Sequence, residues 1–213
     1  MIKIESLINL LKKNKCDFFS GVPDSVLKEL SSSLQNKKKH IIATNEGSAV
    51  SIGIGNYLST KKIPAIYMQN SGLSNALNPL ISIAHKKVYS IPLILIIGWR
   101  GSPKINDEPQ HKVKGQITEQ ILKLLGIKYT IIRSKSDLNK FDKQIKLAKK
   151  NKTIVACLIE QGTLRKNKGT LNKKDFYKLD KELFLKTLLK HLPKKTKVVC
   201  STGYNSRELM YIR

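Results

Sequence analysis

The sequence is short of several things, and each shortage closes a class of function. It has three cysteines, Cys16, Cys157 and Cys200, far apart and with no CxxC pair. Neither a disulfide framework nor a zinc knuckle is expected, and a reducing cytoplasm is the default compartment. Acidic residues number 15 against 40 Lys and Arg, a formal net charge of +25, and only 5 of those 40 are Arg. Base readout and bidentate phosphate contacts favour Arg, and no finger, helix-turn-helix or aromatic RNA-binding pattern accompanies the scattered lysines. A solvated lysine-rich surface is expected, not a nucleic-acid interface. No apolar run approaches the roughly 20 residues of a membrane span; the longest, residues 91–98, contains Pro92. The N-terminus lacks the charged, apolar and small-residue succession of a signal peptide. Aromatics are 6% of the 213 residues, yet 40% apolar residues suffice for a buried core.

What is present alternates short apolar runs with helical spacing, the signature of an α/β protein with an open parallel sheet flanked by helices on both faces. Strands are expected over residues 16–20, 39–43, 64–68, 91–97, 129–132 and 153–159. Val26, Leu27, Leu30 and Leu34 recur at helical spacing. Asn45 is placed to cap a helix through Leu58, and further helices are expected over 75–84, 116–125 and 137–150. Residues 98–115 carry Pro103, Pro109, Asp107, Glu108 and His111 without periodicity, and read as a long functional loop. Composition turns polar and lysine-rich after Glu160. The expected organisation is a first domain over 1–162, a linker over 163–179 and the opening of a second domain over 180–213. That opening is a helix over 180–191, a strand over 197–200 and a turn. A strand and one turn cannot bury a core, so the chain reads as the front of a longer one.

Ligands of open parallel sheets bind past the carboxyl ends of strands. Four segments lie there: 21–25, 45–48, 70–75 and 98–111. Glu46 opens a helix crowded with Gly47, Ser48, Ala49, Ser51, Gly53 and Gly55. An acid in a first helical turn also fits plain capping, but glycine is poor in helices, so that density points to close approach by another backbone or a flat ligand. Asp24 and Ser25 follow a proline at a strand-helix junction, where both a helix cap and a site role fit. His111 beside Asp107 and Glu108 fits a proton carrier or a solvated side chain. No GxGxxG or GxxxxGK[ST] motif is present.

Five segments in this order resemble one family: Phe19-Ser20-Gly21-Val22-Pro23-Asp24-Ser25, Asn45-Glu46-Gly47-Ser48-Ala49-Val50, Met68-Gln69-Asn70-Ser71-Gly72-Leu73, Asn75 to Asn78-Pro79-Leu80, and Asp107-Glu108-Pro109-Gln110-His111. Together they look like the N-terminal, pyrimidine-binding domain of thiamine-diphosphate-dependent 2-oxoacid decarboxylases, nearest to the phosphonopyruvate decarboxylases with the sulfopyruvate decarboxylases close by. The tail Ser201-Thr202-Gly203-Tyr204-Asn205-Ser206-Arg207-Glu208-Leu209 resembles the start of that family's second, pyrophosphate-binding domain.

The resemblance implies conversion of 3-phosphonopyruvate to phosphonoacetaldehyde and carbon dioxide, or decarboxylation of sulfopyruvate or another 2-oxoacid. A binding remnant without activity is the alternative. It implies that Glu46 hydrogen-bonds the aminopyrimidine ring nitrogen of thiamine diphosphate and favours the tautomer that takes up the thiazolium proton. Asn70, Ser71 and Gly72 match the turn against the cofactor. Asp24, Ser25, Arg100 and His111 are the implied substrate contacts, Arg100 for a phosphonate or carboxylate. No metal ligand is expected in this chain; Mg2+ and the diphosphate would be held by the second domain of a homo-oligomeric partner or by a separate subunit. Ser74 and Lys114 stand where that family usually carries Gly and Gln.

Overall fold

The computed structural model describes residues 1–35, 37–103, 105–165, 179–200 and 203–212, with the side chain of Tyr204 outside that description. Two compact units divide the chain, Met1–Gly169 and Thr170–Arg213. In the first, β1 (Ile2–Lys3) and α1 (Ile4–Lys13) precede β2 (Phe19–Gly21), α2 (Lys28–Leu34), β3 (His40–Ile42), α3 (Glu46–Thr60) and β4 (Ala65–Gln69). A 3-10 turn, Asn70–Gly72, leads into α4 (Leu73–Pro79), and the coil widens into a π turn at Leu80–Ala84. Then come β5 (Ile94–Trp99), α5 (Pro109–Leu124), β6 (Lys128–Ile132), α6 (Lys135–Asn151), β7 (Val155–Glu160) and β8 (Leu164–Arg165).

Six strands form one parallel sheet in the order β3-β2-β4-β5-β7-β6, and β1 pairs with β8 in a separate parallel ribbon. Side chains of a strand alternate between faces, and β5 shows the consequence: Ile94 and Ile96 enter one core, Leu95 and Ile97 the other. The first core is roofed by α1, α2 and α6 through Leu7, Leu11, Leu30, Phe141 and Ile145. The second is roofed by α3, α4 and α5 through Val50, Leu73, Ala76 and Leu122. Burial on both faces explains why β5 and β7 read as unbroken apolar runs. Helix α6 opens on a capping box, the Ser134 side chain meeting the N3 backbone and Asp137 reaching back to the cap, which satisfies two orphan helix donors.

Several expectations need correction. The expected loop over 98–115 is shorter. Gly98 and Trp99 complete β5, and α5 begins at Pro109. Proline suits a first helical turn because no N–H is needed there; His111 therefore rides on a helix. The helix expected over 75–84 is α4 plus the π turn, with Pro79 at the junction. Cys16 lies ahead of β2, not in a strand, though it and Cys157 are fully buried. Helix α1 precedes every element expected.

In the second unit, α7 (Lys181–His191), capped by Asp180, packs with α8 (Tyr204–Ile212), and Lys181 pairs with Glu208 at 2.8 Å. The strand expected over 197–200 is not formed; a strand needs a ladder partner, and the described residues of this unit supply none. Of the linker expected over 163–179, residues 166–178 lie outside the described residues, as do Ser201 and Thr202 of the tail. Leu164 and Arg165, expected in that linker, pair with Ile2 and Lys3. Among the described residues no helix is long and apolar enough to cross a membrane.

Packing energetics can be tested at one position on each side of the surface. Phe141 is fully buried between α6 and the sheet, while Leu124 is 87% exposed at the end of α5. Phe141→Ala is expected to lower unfolding free energy by about 3–5 kcal/mol, and Leu124→Ala by no more than about 0.5 kcal/mol, both read by urea denaturation.

Candidate active site

Every residue singled out in the sequence lies past the carboxyl end of β2, β3, β4 or β5. Asn45 ends the turn after β3, and its side chain accepts the Ser48 N–H at 2.8 Å. The capping role open to Glu46 thus falls to its neighbour, and the Glu46 carboxylate is directed elsewhere. It reaches across to α4, where its Oε2 accepts from Asn75 Nδ2 at 2.9 Å. A Cβ on Gly72 would overlap that carboxylate, and one on Gly47 would stand 2.9 Å from the Asn75 carbonyl oxygen. Here the glycines serve close approach: α3 and the turn before α4 meet at backbone distance so that Glu46 can lie along Gly72. No hydrogen bond from a described residue reaches Oε1, which lies where a Gly72 Cβ would stand.

The turn 70–72 is tied to the next strand by Asn70, which is buried. Its Nδ2 donates to the Arg100 carbonyl at 2.9 Å and to Thr118 Oγ1 at 2.9 Å, and its Oδ1 accepts the Arg100 N–H at 3.0 Å. The amide therefore satisfies both peptide groups of Arg100, as a paired strand residue would. All of its hydrogen-bonding directions toward β5 and α5 are spent within the protein. Ser71 Oγ accepts from Gln69 Nε2 at 2.6 Å.

Arg100 leaves β5 and turns back on its own loop. Its Nε donates to Asp107 Oδ2 at 2.7 Å, its Nη2 to Asp107 Oδ1 at 2.5 Å, and its Nη1 to Ser25 Oγ at 3.2 Å. With side chains only 19% and 6% exposed, the pair is shielded more than surface pairs of little worth. The guanidinium holds the Asp107 carboxyl well below the usual carboxylate range.

Asp24 is buried, and its Oδ2 accepts the Val26 and Leu27 N–H groups at 3.1 and 3.2 Å. Those bonds cap the turn into α2, one of the two roles open in the sequence. Its Oδ1 is buried with no hydrogen-bond partner, and a Cβ on Gly98 would overlap the carboxyl. Burial pushes the Asp24 carboxyl up, against the smaller opposing pull of the two N–H bonds and the Arg100 charge. Burial with an unmet oxygen disfavours the charged carboxylate, which is the direction of this shift.

Asp24, Ser25 and Arg100 are thus one cluster, and Glu46, Gly72 and Asn75 another, with Asn70 spanning the gap. His111 joins neither by a side-chain hydrogen bond among the described residues. Half-buried in the first turn of α5, it meets the cluster through its backbone, because its carbonyl abuts Gly101, next to Arg100. Gly101 has φ +67 and a Cβ there would overlap the His111 carbonyl, a conformation and an approach that only glycine accepts without strain. Asn75 and Asp107 are the partners that sequence reasoning did not assign. Neither stands at a periodic distance from its mate.

Residues 4–130 match the family model described as thiamine pyrophosphate enzyme, N-terminal TPP binding domain. The chain belongs to the thiamine pyrophosphate enzyme family. Within it, the chain is 30% identical over 209 residues to a phosphonopyruvate decarboxylase of Streptomyces hygroscopicus, covering 89% of this chain and 51% of that protein. It therefore spans about half the length of that relative. It is 35% identical over 127 residues to the sulfopyruvate decarboxylase subunit alpha of Methanococcus maripaludis, covering 59% of this chain and 74% of that one. The fold is shared with benzoylformate decarboxylase from Polynucleobacter necessarius, at a TM-score of 0.60 and 16% identity over 87% of this chain and 35% of that chain.

For a thiamine pyrophosphate enzyme domain the residues fit one end of the cofactor. A carboxylate turned by Asn75, bounded by a side-chain-free turn at Gly72 and with one oxygen unmet by the protein, suits an N–H of the aminopyrimidine ring. Among the described residues no three His, Cys, Asp or Glu side chains gather to hold a metal ion.

Two outcomes follow from this geometry. Gly72→Ala is expected to displace the Glu46 carboxylate and shift the Asn75 side-chain amide resonances, with the far-UV circular dichroism unchanged. An unmoved Asn75 amide would mean the contact is not made. Because Asp24 has a raised folded-state value, its contribution is fully present below the unfolded carboxyl value and is lost as pH rises through the folded one. Asp24→Asn is therefore expected to gain stability relative to wild type across that window and hold the difference above it, measured by urea melts from pH 3.5 upward.

Proposed function

We propose that this chain is the cofactor-activating half of a thiamine diphosphate-dependent 2-oxoacid decarboxylase, acting on 3-phosphonopyruvate to give phosphonoacetaldehyde and carbon dioxide. The observation that carries the reading is the Glu46 carboxylate, held by Asn75 at 2.9 Å and laid against Gly72. In this reading, residues 1–162 form the pyrimidine-binding domain, 163–179 a linker, and 180–213 the start of a pyrophosphate-binding domain. Mg2+ and the diphosphate are bound by that second domain, supplied by another copy of the enzyme or by a separate subunit.

When bound, the cofactor supplies the electron sink that receives the C1–C2 bonding pair as carbon dioxide leaves. Glu46 accepts the N–H of the protonated ring nitrogen at Oε1, a charge that an amide could not balance, while Asn75 keeps Oε2 occupied and the carboxylate oriented. The backbone of the 70–72 turn would lie against the ring, with Gly72 leaving room for the Glu46 carboxylate. Arg100 meets an anionic group of the substrate, with Ser25 beside it and His111 at the rim. Burial pushes the Asp24 carboxyl up, so in this reading Asp24 is the acid of the Arg100 cluster that would supply the proton replacing carbon dioxide at C2.

A second reading is favoured by one observation, the match to 74% of a relative whose name makes it a subunit alpha. There the chain would be one subunit of a split sulfopyruvate decarboxylase. Both readings share Glu46. In the holoenzyme, Glu46→Gln is expected to lower decarboxylation at least a hundredfold, the scale of general acid–base assistance, and to slow exchange of the thiazolium proton to the uncatalysed rate. Near-wild-type exchange in that variant would overturn the role of Glu46.

A further inference from the structure

Arg100 is fixed twice. Its peptide N–H and C=O are both taken by the Asn70 side chain, and its guanidinium is taken edge-on by Asp107. Asp107 is in turn the hub of its loop: Oδ2 also accepts the Gly101 N–H at 2.8 Å, and Oδ1 the Glu108 N–H at 2.8 Å. Four donors converge on a single carboxylate that is 6% exposed. That is more order than neutralising one arginine requires.

The donor count shows what the order achieves. A guanidinium has five N–H donors in a rigid fork. Asp107 takes the Nε–H and one on Nη2, and Ser25 takes one on Nη1. Two remain, one each on Nη1 and Nη2. Those terminal nitrogens form the end of the fork, spaced for two oxygens of a carboxylate, phosphonate or sulfonate. Arg100 lines a cleft of about 440 Å³ with Asn106, Asp107, Glu108, Pro109 and Gln161, within the range of small-molecule sites. Ser25, at the other side of the guanidinium, adjoins Asp24. The side-on pairing with Asp107 thus leaves one N–H on Nη2 and one on Nη1 outside both contacts, on a guanidinium that lines this cleft.

We infer that Asp107 is the positioning residue that sets substrate class, turning Arg100 so that its end-on fork selects 2-oxoacids with a second anionic group on C3 over those without one. This rests on the reading of the site as a 2-oxoacid decarboxylase. It departs from the simpler view of Asp107 as a countercharge, and the two make opposite predictions. A countercharge repels a second anion, so its removal would strengthen selection for that anion. A positioning residue orients the arginine, so its removal weakens it.

The experiment measures kcat/KM of the holoenzyme, its second half carried on the same chain or on a separate subunit, for 3-phosphonopyruvate, sulfopyruvate, oxaloacetate and pyruvate. Wild type is compared with Asp107→Asn, Asp107→Glu and Arg100→Lys. Asp107→Asn is expected to lower the ratio of each C3-anionic acid to pyruvate by roughly 10- to 100-fold, the scale of one charge-assisted hydrogen bond. The loss should fall mainly in KM, and Asp107→Glu should recover part of the ratio. Arg100→Lys, which keeps charge but loses the fork, is expected to match Asp107→Asn. The order among the three anionic acids identifies the group read. A ratio that rises in Asp107→Asn, or rates that fall in parallel for all four acids, overturns the inference while leaving the decarboxylase reading intact. A wild-type holoenzyme that decarboxylates none of them overturns that reading and this inference together.

Discussion

The site depends on one buried amide. Asn70 stands where β4 ends, and its side chain substitutes for the strand that would otherwise continue the ladder beside Arg100. A buried polar group must be satisfied or it costs free energy, and here satisfaction has directional consequences. The donor and acceptor of one amide are spaced to meet the acceptor and donor of one residue, so Arg100 cannot rotate its peptide without breaking both bonds. The third bond, to Thr118, carries the constraint into α5. Because Asn70 also begins the turn whose last residue is Gly72, the same side chain sets the distance between the arginine cluster and the Glu46 carboxylate. Two side-chain clusters set by different strands share one anchor.

Glycine enforces the rest by absence. At Gly72 the missing Cβ admits a carboxylate, at Gly98 it admits Asp24, and at Gly115 it admits the Gly101 carbonyl. In each case the neighbour sits where a side chain would be, so the site is assembled from contacts between backbone and side chain. Such contacts are stiff, as close-packed interiors are. That stiffness suits a site whose polar groups must be oriented before a ligand arrives, since orientation supplied in advance need not be acquired at the reacting step. The Asp24 carboxyl is the clearest instance. Its Oδ2 is bound into the turn before α2, which fixes the direction of the unmet Oδ1.

The sheet was legible because burial on both faces writes itself as apolar runs, though the runs over 91–97 and 153–159 begin ahead of the strands, which start at Ile94 and Val155. The glycine signal beside Glu46 was legible only in part: Gly47 does mark close approach, to the Asn75 carbonyl oxygen, whereas a Cβ on Gly53 would meet only the side chains of Ile66 and Pro64 and one on Gly55 nothing within 4 Å. The loop over 98–115 misled because polarity and two prolines resemble irregular chain, whereas Pro109 at a helix start is a helix signal. The bonds that Asn75 and Asp107 make left no mark, since a hydrogen bond between a helix and a neighbouring turn obeys no period. Helix α1 is the opposite case. Ile4, Leu7, Ile8 and Leu11 spell the i, i+3, i+4, i+7 pattern outright, and Asp142 and Asn14 then tie it to α6 at 2.6 Å.

Charge must be read locally for the same reason. A net +25 invites the idea that anionic ligands are drawn to the whole surface, but exposed lysines are screened within about 8 Å at physiological salt and carry no geometry. Selection among small anions needs a donor pair whose direction is fixed, and direction comes from opposing charge, not from more of the same. Arg100 is held side-on by the Asp107 carboxylate, and that contact holds the Asp107 carboxyl well below the usual carboxylate range. The lysine surface can raise the rate at which anions arrive. In the role inferred for Asp107, what would distinguish one arriving acid from another is the part of the Arg100 fork that this carboxylate leaves uncovered.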